Sequence, residues 1–127
     1  MQVSISSTVK SAPKINGALF TDIKNKVLGK NFELSLAFIG TKRMRKLNRD
    51  HRKKDYATDI LSFNVDKNLG EIVINPDKAR QKAPLFERTY DNYLKFIFIH
   101  GLFHLKGYEH SSRMESEEEK IRKAFKV

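Results

Sequence analysis

The sequence contains no cysteine. Disulfides and cysteine-based zinc sites are therefore excluded, and any metal must be held by histidine and carboxylate. The absence fits a reducing cytoplasm, which is the expected location. A long apolar run is also missing. The most apolar stretch is FIFIHGLF, residues 96–103, well short of the roughly 18 residues that a membrane span needs. The first ten residues, MQVSISSTVK, lack the basic start and the apolar stretch of a secretion signal. These absences predict a soluble intracellular protein with no membrane partner. Acidic residues are scarce relative to basic ones, 15 Asp+Glu against 25 Lys+Arg, and the formal charge is +10. Such an excess on a small protein favours polyanions and speeds encounter with them. A membrane surface is the competing partner, but no basic amphipathic helix with aromatic anchors is evident.

What is present suffices for one folded domain over residues 1–127. A chain of that length buries about 70% of its extended surface and folds without covalent help. Alternation at Val3, Ile5 and Ser7 predicts a short first strand. Ile15, Leu19, Ile23 and Val27 recur every fourth residue, which predicts a helix ending near Gly29. Phe32, Leu34, Leu36 and Phe38 alternate as in a half-buried strand. Thr41 is placed to cap a short helix with Met44 and Leu47 inward. The charged stretch NRDHRKKDYATD, residues 48–59, reads as a loop. ILSFNV and GEIVI form two strands joined at DKNL, most simply a hairpin. Pro76 starts a helix over Asp77 to Lys82, and Pro84 marks a connection. A strong helix runs from Phe86 or Glu87 to Leu105 or Lys106, with Tyr90, Leu94, Ile97, Phe98, Gly101 and Leu102 on one face. Gly107 is a left-handed C-cap. Ser112 with Glu115 has capping-box spacing, and the last helix turns Met114, Ile121 and Phe125 inward. The expected fold is α+β, a small mixed sheet flanked by helices.

The segment HGLFHLKGYEH, residues 100–110, carries the chemistry. His100 and His104 lie one turn apart on one helix face. Gly107 turns the chain back, so His110 approaches the same point from outside the helix. Three neutral imidazoles around one cation leave a fourth position for water, as in hydrolytic zinc sites. Zn²⁺ lowers the pKa of a coordinated water from about 15.7 to about 7. One such ion per chain is expected. A lone histidine on a helix is more often structural, but three of the four histidines in the chain converge here. The spacing is similar to the extended zinc motif of metzincin proteases. However, Gly101 stands where those enzymes place the glutamate that acts as general base, which argues against peptidase chemistry.

A second feature is a basic run. Lys42, Arg43, Arg45, Lys46, Arg49, Arg52, Lys53 and Lys54 fall within thirteen residues. Such a run is either a solvated helix face or a ridge that contacts phosphates, whose oxygens match guanidinium forks. Spacing does not show which arginine reaches the metal. Asp59, Ser62 and Asn64 sit near a strand start, where they shape a cleft or simply cap turns. His51 alone reads as solvated. Asp91 and the Glu115–Glu119 group read as solvated helix faces that offset nearby lysines.

The segments ELSLAFI, MRKLNRDHRKKDYATDILSF, LGEIVI and HGLFHLKGYEH, in that order, resemble the YbeY family of rRNA maturation factors and endoribonucleases. The likeness runs from about Glu33 to the final helix. It implies an α+β fold with zinc held by His100, His104 and His110 in a cleft. The family's loop arginine falls on Arg52, a candidate to stabilise the phosphate, and its T-D-V-L-S-F motif falls on Thr58–Phe63. Glu71 and Glu109 stand where the family has aspartate, as candidates to orient a histidine from behind. Asn64 replaces a common proline. The resemblance further implies single-strand-directed endoribonuclease activity in small-subunit (16S) rRNA maturation and ribosome quality control. The small ribosomal subunit and its assembly factors would be partners, and no DNA specificity is expected. Two rivals stay open: a metal-dependent hydrolase of another substrate, and a non-catalytic assembly factor in which metal only stabilises the fold.

Overall fold

The computed structural model describes residues 3–10 and 12–127. Met1, Gln2 and Ser11 lie outside the described residues, and with them the start of the segment read for a secretion signal. Four strands, β1 (Ser4–Ser7), β2 (Glu33–Phe38), β3 (Ile60–Asp66) and β4 (Leu69–Ile74), form one mixed sheet in the order β1-β2-β4-β3. β1 and β2 run parallel, as do β2 and β4, while β3 pairs antiparallel with β4. The helices are α1 (Gly17–Leu28), α2 (Thr41–Arg52), α3 (Pro76–Lys82), α4 (Tyr90–Lys106) and α5 (Ser112–Phe125), with a 3₁₀ turn at Ala83–Phe86.

Strand periodicity divides the core into two layers, because successive side chains point to opposite faces. Ile72 and Ile74 face the larger cluster with Phe20, Ile23, Leu36, Phe98 and Leu102. Val73 and Leu61 face a smaller one with Ile39 and Met44. α4 packs on β3 and β4 and against α1, α3 and α5. It buries nine residues, including Leu94, Ile97, Phe98, Gly101 and Leu102, so the helix that carries His100 and His104 is the rigid centre of the fold. Gly101 makes room for the close approach of α4 to β3. A Cβ on it would lie 2.9 Å from Ser62 Oγ and 3.0 Å from Ile60 Cδ1, so glycine lets α4 sit directly on the edge strand.

Several boundaries differ from the sequence expectations. α2 is a full three-turn helix to Arg52, not a short one followed by a loop from Asn48. Its apolar period stops at Leu47, but Asn48 is buried and continues the inward face, donating from Nδ2 to the Tyr56 carbonyl at 2.8 Å. The Lys and Arg residues on the remaining face are good helix formers. The helix ends where Lys53 turns left-handed (φ 57°), and only residues 53–59 form the loop. Thr41 is the first helical residue, with Gly40 at the cap position. α1 begins after its cap Asn16, so Ile15 precedes the helix rather than belonging to it. α4 starts at Tyr90 because the Thr89 side chain accepts from the Asn92 amide, while residues 83–86 form the 3₁₀ turn and Glu87 is left-handed. The cap of α5 is Ser111, not Ser112: its hydroxyl accepts from Met114 N, and no capping box forms with Glu115. The hairpin, the Pro76 helix start and the left-handed Gly107 (φ 105°) match the expectations.

Candidate metal centre

α4 ends in the left-handed Gly107, whose amide caps the His104 and Phe103 carbonyls. Glycine takes this backbone conformation without steric cost, and the reversal brings His110 back beside the helix. Ligand atoms of His100, His104 and His110 all lie within 4.8 Å of one another. His104 Nε2 is 3.0 Å from His100 Nε2, and the His110 ring centroid is 5.1 Å and 4.8 Å from the other two.

Each helical imidazole is held from its far side. His104 Nδ1 donates to the Tyr108 carbonyl at 3.3 Å. His100 Nδ1 lies 3.0 Å from Glu118 Oε1, a carboxylate that is only 3% exposed. These partners hold the Nδ1 protons, so both Nε2 lone pairs face one point. Burial, and then the proximity of His100 and His110, hold the His104 pKa below the ordinary histidine value and keep the ring neutral. Two inward lone pairs 3.0 Å apart, with a third imidazole beside them, fit a cation between the rings and suit a borderline-soft metal.

Glu118 was not foreseen. The Glu115–Glu119 group reads as solvated from the sequence, and for the buried Glu118 that expectation is corrected. The sequence signal lay in helix phase: Met114, Glu118, Ile121 and Arg122 are the buried residues of α5, and Glu118 falls one turn after Met114 and one before Ile121. The other members do face solvent or near it, with Glu117 paired to Lys120, Glu119 to Lys123 and Glu115 to Arg122. Glu109 is exposed and Glu71 half-buried on β4, and among the described residues neither lines the cavity at the histidines.

That cavity, about 780 Å³, runs along the edge strand β3 and is lined from both sheet faces and by α4 and α5. His100, His104 and His110 lie in it with Ser62, Asp59 and Arg52. Ser62 Oγ donates to the Gly101 carbonyl at 3.2 Å, tying the strand to the histidine helix. Asp59 is a brace. It accepts from Tyr93 Oη at 2.7 Å and from Thr58, and lies 3.5 Å from Lys82 Nζ. Burial, and then the bond to Asp59, push the Tyr93 phenol upward, so it stays protonated as a donor. Asn64 is exposed on β3.

The basic run divides. Arg45 forms a two-point pair with Asp55, at 2.9 and 3.1 Å, and Arg49 lies near Asp50 and Asp55. Lys42, Arg43, Lys46, Lys53 and Lys54 are exposed outside the cavity. Among the described residues, Arg52 is the only lysine or arginine that lines the cavity, and it has no carboxylate partner there. His51 also lines the wall, edge-on to Phe63 at 4.9 Å between ring centroids, although its sequence context gave no sign of this.

Fold and cluster together define an α+β protein whose open cleft holds a three-histidine group able to coordinate a metal ion. Residues 3–126 match the family model described as Endoribonuclease YbeY. Proteins named Endoribonuclease YbeY from Alkaliphilus metalliredigens and Campylobacter jejuni are 35% and 34% identical to the chain. The matches cover 80% of this chain and 72% of the first protein, and 75% of this chain and 77% of the second. The Listeria welshimeri protein of the same name is 38% identical over 70% of this chain and 65% of its own length. The solution structure of TM1509 from Thermotoga maritima superposes with a TM-score of 0.65 over 97% of this chain and 88% of that one, at 24% identity, a likeness of fold. The chain belongs to the YbeY family.

Proposed function

We propose that this chain is a zinc-dependent, single-strand-directed endoribonuclease that acts in small-subunit (16S) rRNA maturation and ribosome quality control. Family membership and the histidine cluster support the broader statement, a metal-dependent nuclease in RNA processing. One observation carries the finer reading. A single unpaired arginine of the basic run, Arg52, lines the same cavity as His100, His104 and His110. A phosphodiester in that cavity meets both the metal ligands and a guanidinium fork. In this reading residues 1–127 act as one hydrolase domain in the cytoplasm, and the small subunit with its assembly factors presents the RNA.

The chain's own groups divide the work. His100, His104 and His110 would hold one Zn²⁺, with Glu118 and the Tyr108 carbonyl fixing the ring orientations. The ion, when bound, supplies Lewis acidity for phosphodiester hydrolysis. Arg52 stabilises the negative charge that grows on the phosphate, and a preformed donor at such a position is worth about 10²–10³ in rate. Ser62 keeps β3 seated against Gly101 so that the cleft holds its shape. Lys42, Arg43, Lys46, Lys53 and Lys54 attract the strand from outside, a sequence-independent contribution that salt weakens.

The test is cleavage of one sequence presented as single-stranded RNA, as duplex RNA and as single-stranded DNA. Cutting of the single-stranded RNA alone supports the reading. Tight RNA binding with no cutting on naked RNA or on small subunits would replace it with a non-catalytic assembly factor. Hydrolysis of other metal-hydrolase substrates, with RNA untouched, would replace it with a different enzyme.

A further inference from the structure

One wall of the cavity is aromatic, and the metal chemistry does not use it. Phe86, at the end of the 3₁₀ turn, sits 5.3 Å from Tyr93 and 5.7 Å from Phe96 between ring centroids, and Tyr93 and Phe96 stack at 5.8 Å. All three line the cavity together with His100 and Arg52. Tyr93 and Phe96 are on α4, seven and four residues before His100, which places them about 10 and 6 Å along the helix from that ligand.

Phe86 is half exposed, at 50%, and the neighbouring Leu85 is 80% exposed. Neither is on a loose segment. The Glu87 amide bonds the Pro84 carbonyl, the Arg88 amide bonds the Ala83 carbonyl, and Ala83 is buried in the core. A large ring held rigidly at the rim of a cavity, with much of it in solvent, gains by being covered. The Arg88 guanidinium lies 4.2 Å from the centre of the Phe96 ring, so the wall already carries a cation against an aromatic face.

Resting on the nuclease reading above, we infer that the Phe86–Tyr93–Phe96 wall is a stacking subsite for one unpaired nucleobase, with Phe86 as the contact residue. The phosphate next to that base then lies toward Arg52 and the histidines. The occupant is a base and not an apolar protein segment because the same cavity offers the unpaired Arg52 to a phosphate, on a chain of charge +10. Stacking is sequence-tolerant, since every base has a π-face, but it requires a base that is free of a duplex. Preference for single strands would thus arise partly at this wall.

The experiment compares binding of a short fluorescent single-stranded RNA by the zinc-loaded parent, Phe86→Ala, Phe86→Leu and Phe86→Trp, at one fixed salt concentration. Loss of one stacked base corresponds to about 5- to 150-fold in affinity. Phe86→Ala and Phe86→Leu should both weaken binding within that range, and Phe86→Trp should restore it. The salt slope should be unchanged, because no phosphate contact is lost. Phe86→Leu binding as tightly as the parent would overturn the stacking subsite while leaving RNA binding intact. Normal binding to naked RNA by every variant, with loss only on small subunits, would overturn it in favour of a protein partner at Leu85 and Phe86. A parent that binds no RNA would overturn both this inference and the nuclease reading.

Discussion

Replacing Glu118 with alanine should weaken zinc binding while leaving the protein folded. The carboxylate is buried and lies 3.0 Å from His100 Nδ1, and His100 is its only hydrogen-bonding partner among the described residues. Partners of this kind fix the tautomer and ring orientation of a ligand histidine, and their removal costs about 10- to 100-fold in metal affinity, or about 1.4–2.7 kcal/mol. Burial shields the pair from solvent screening, so Glu118→Ala should fall in the upper half of that range. Glu118→Gln keeps an acceptor oxygen but not the charge, and should lose about tenfold or less. Glu119→Gln is the control, because Glu119 is exposed and pairs with Lys123. The assay is a competition titration against a chromophoric chelator near neutral pH, with circular dichroism to show that each variant is folded. A folded Glu118→Ala that binds zinc within twofold of the parent would refute the positioning role.

Other consequences follow from the same geometry. Gly101→Ala should lower the melting temperature by a few degrees, since crowding against Ser62 and Ile60 costs about 1–3 kcal/mol against about 1 kcal/mol of helix propensity gained; a rise would contradict the close packing of α4 on β3. In metal-free protein the depressed His104 pKa means that the unfolded chain binds that proton more readily. Stability is then complete above the unfolded value of about 6.5 and falls as pH drops from there toward the folded value. Urea midpoints should accordingly fall more for the parent than for His104→Gln between about pH 7.5 and 5.5, and equal falls would count against a depressed His104. Arg52→Ala should reduce RNA cleavage by about 10²–10³, whereas Arg45→Ala, which removes a guanidinium already held by Asp55, should change it by less than about tenfold. Equal effects in a single-turnover assay would remove Arg52 from its assigned place.

Much of this was legible because local rules and tertiary structure agree. Alternation placed β2, the turn residues placed the hairpin, and the spacing of His100, His104, Gly107 and His110 requires only one helix and one left-handed cap. What was hidden depended on packing. α2 continues past Leu47 because a polar residue, Asn48, occupies an inward position where an apolar one is expected. Glu118 looks like its acidic neighbours until the phase of α5 is set by Met114 and Ile121, and its partner is eighteen residues away. The division of the basic run was equally unreadable. Only the position of Asp55 beside Arg45, and of β3 beside Arg52, separates an internally paired arginine from one that reaches the cavity.

The most direct measurement is cleavage of an end-labelled single-stranded RNA from the 3′ region of small-subunit rRNA, by zinc-loaded parent and by His104→Ala prepared identically. The parent should cut, chelation should abolish cutting and zinc should restore it, while the variant stays inactive. Equal cutting by both proteins, or cutting by the parent that survives chelation, would contradict a nuclease built on His100, His104 and His110.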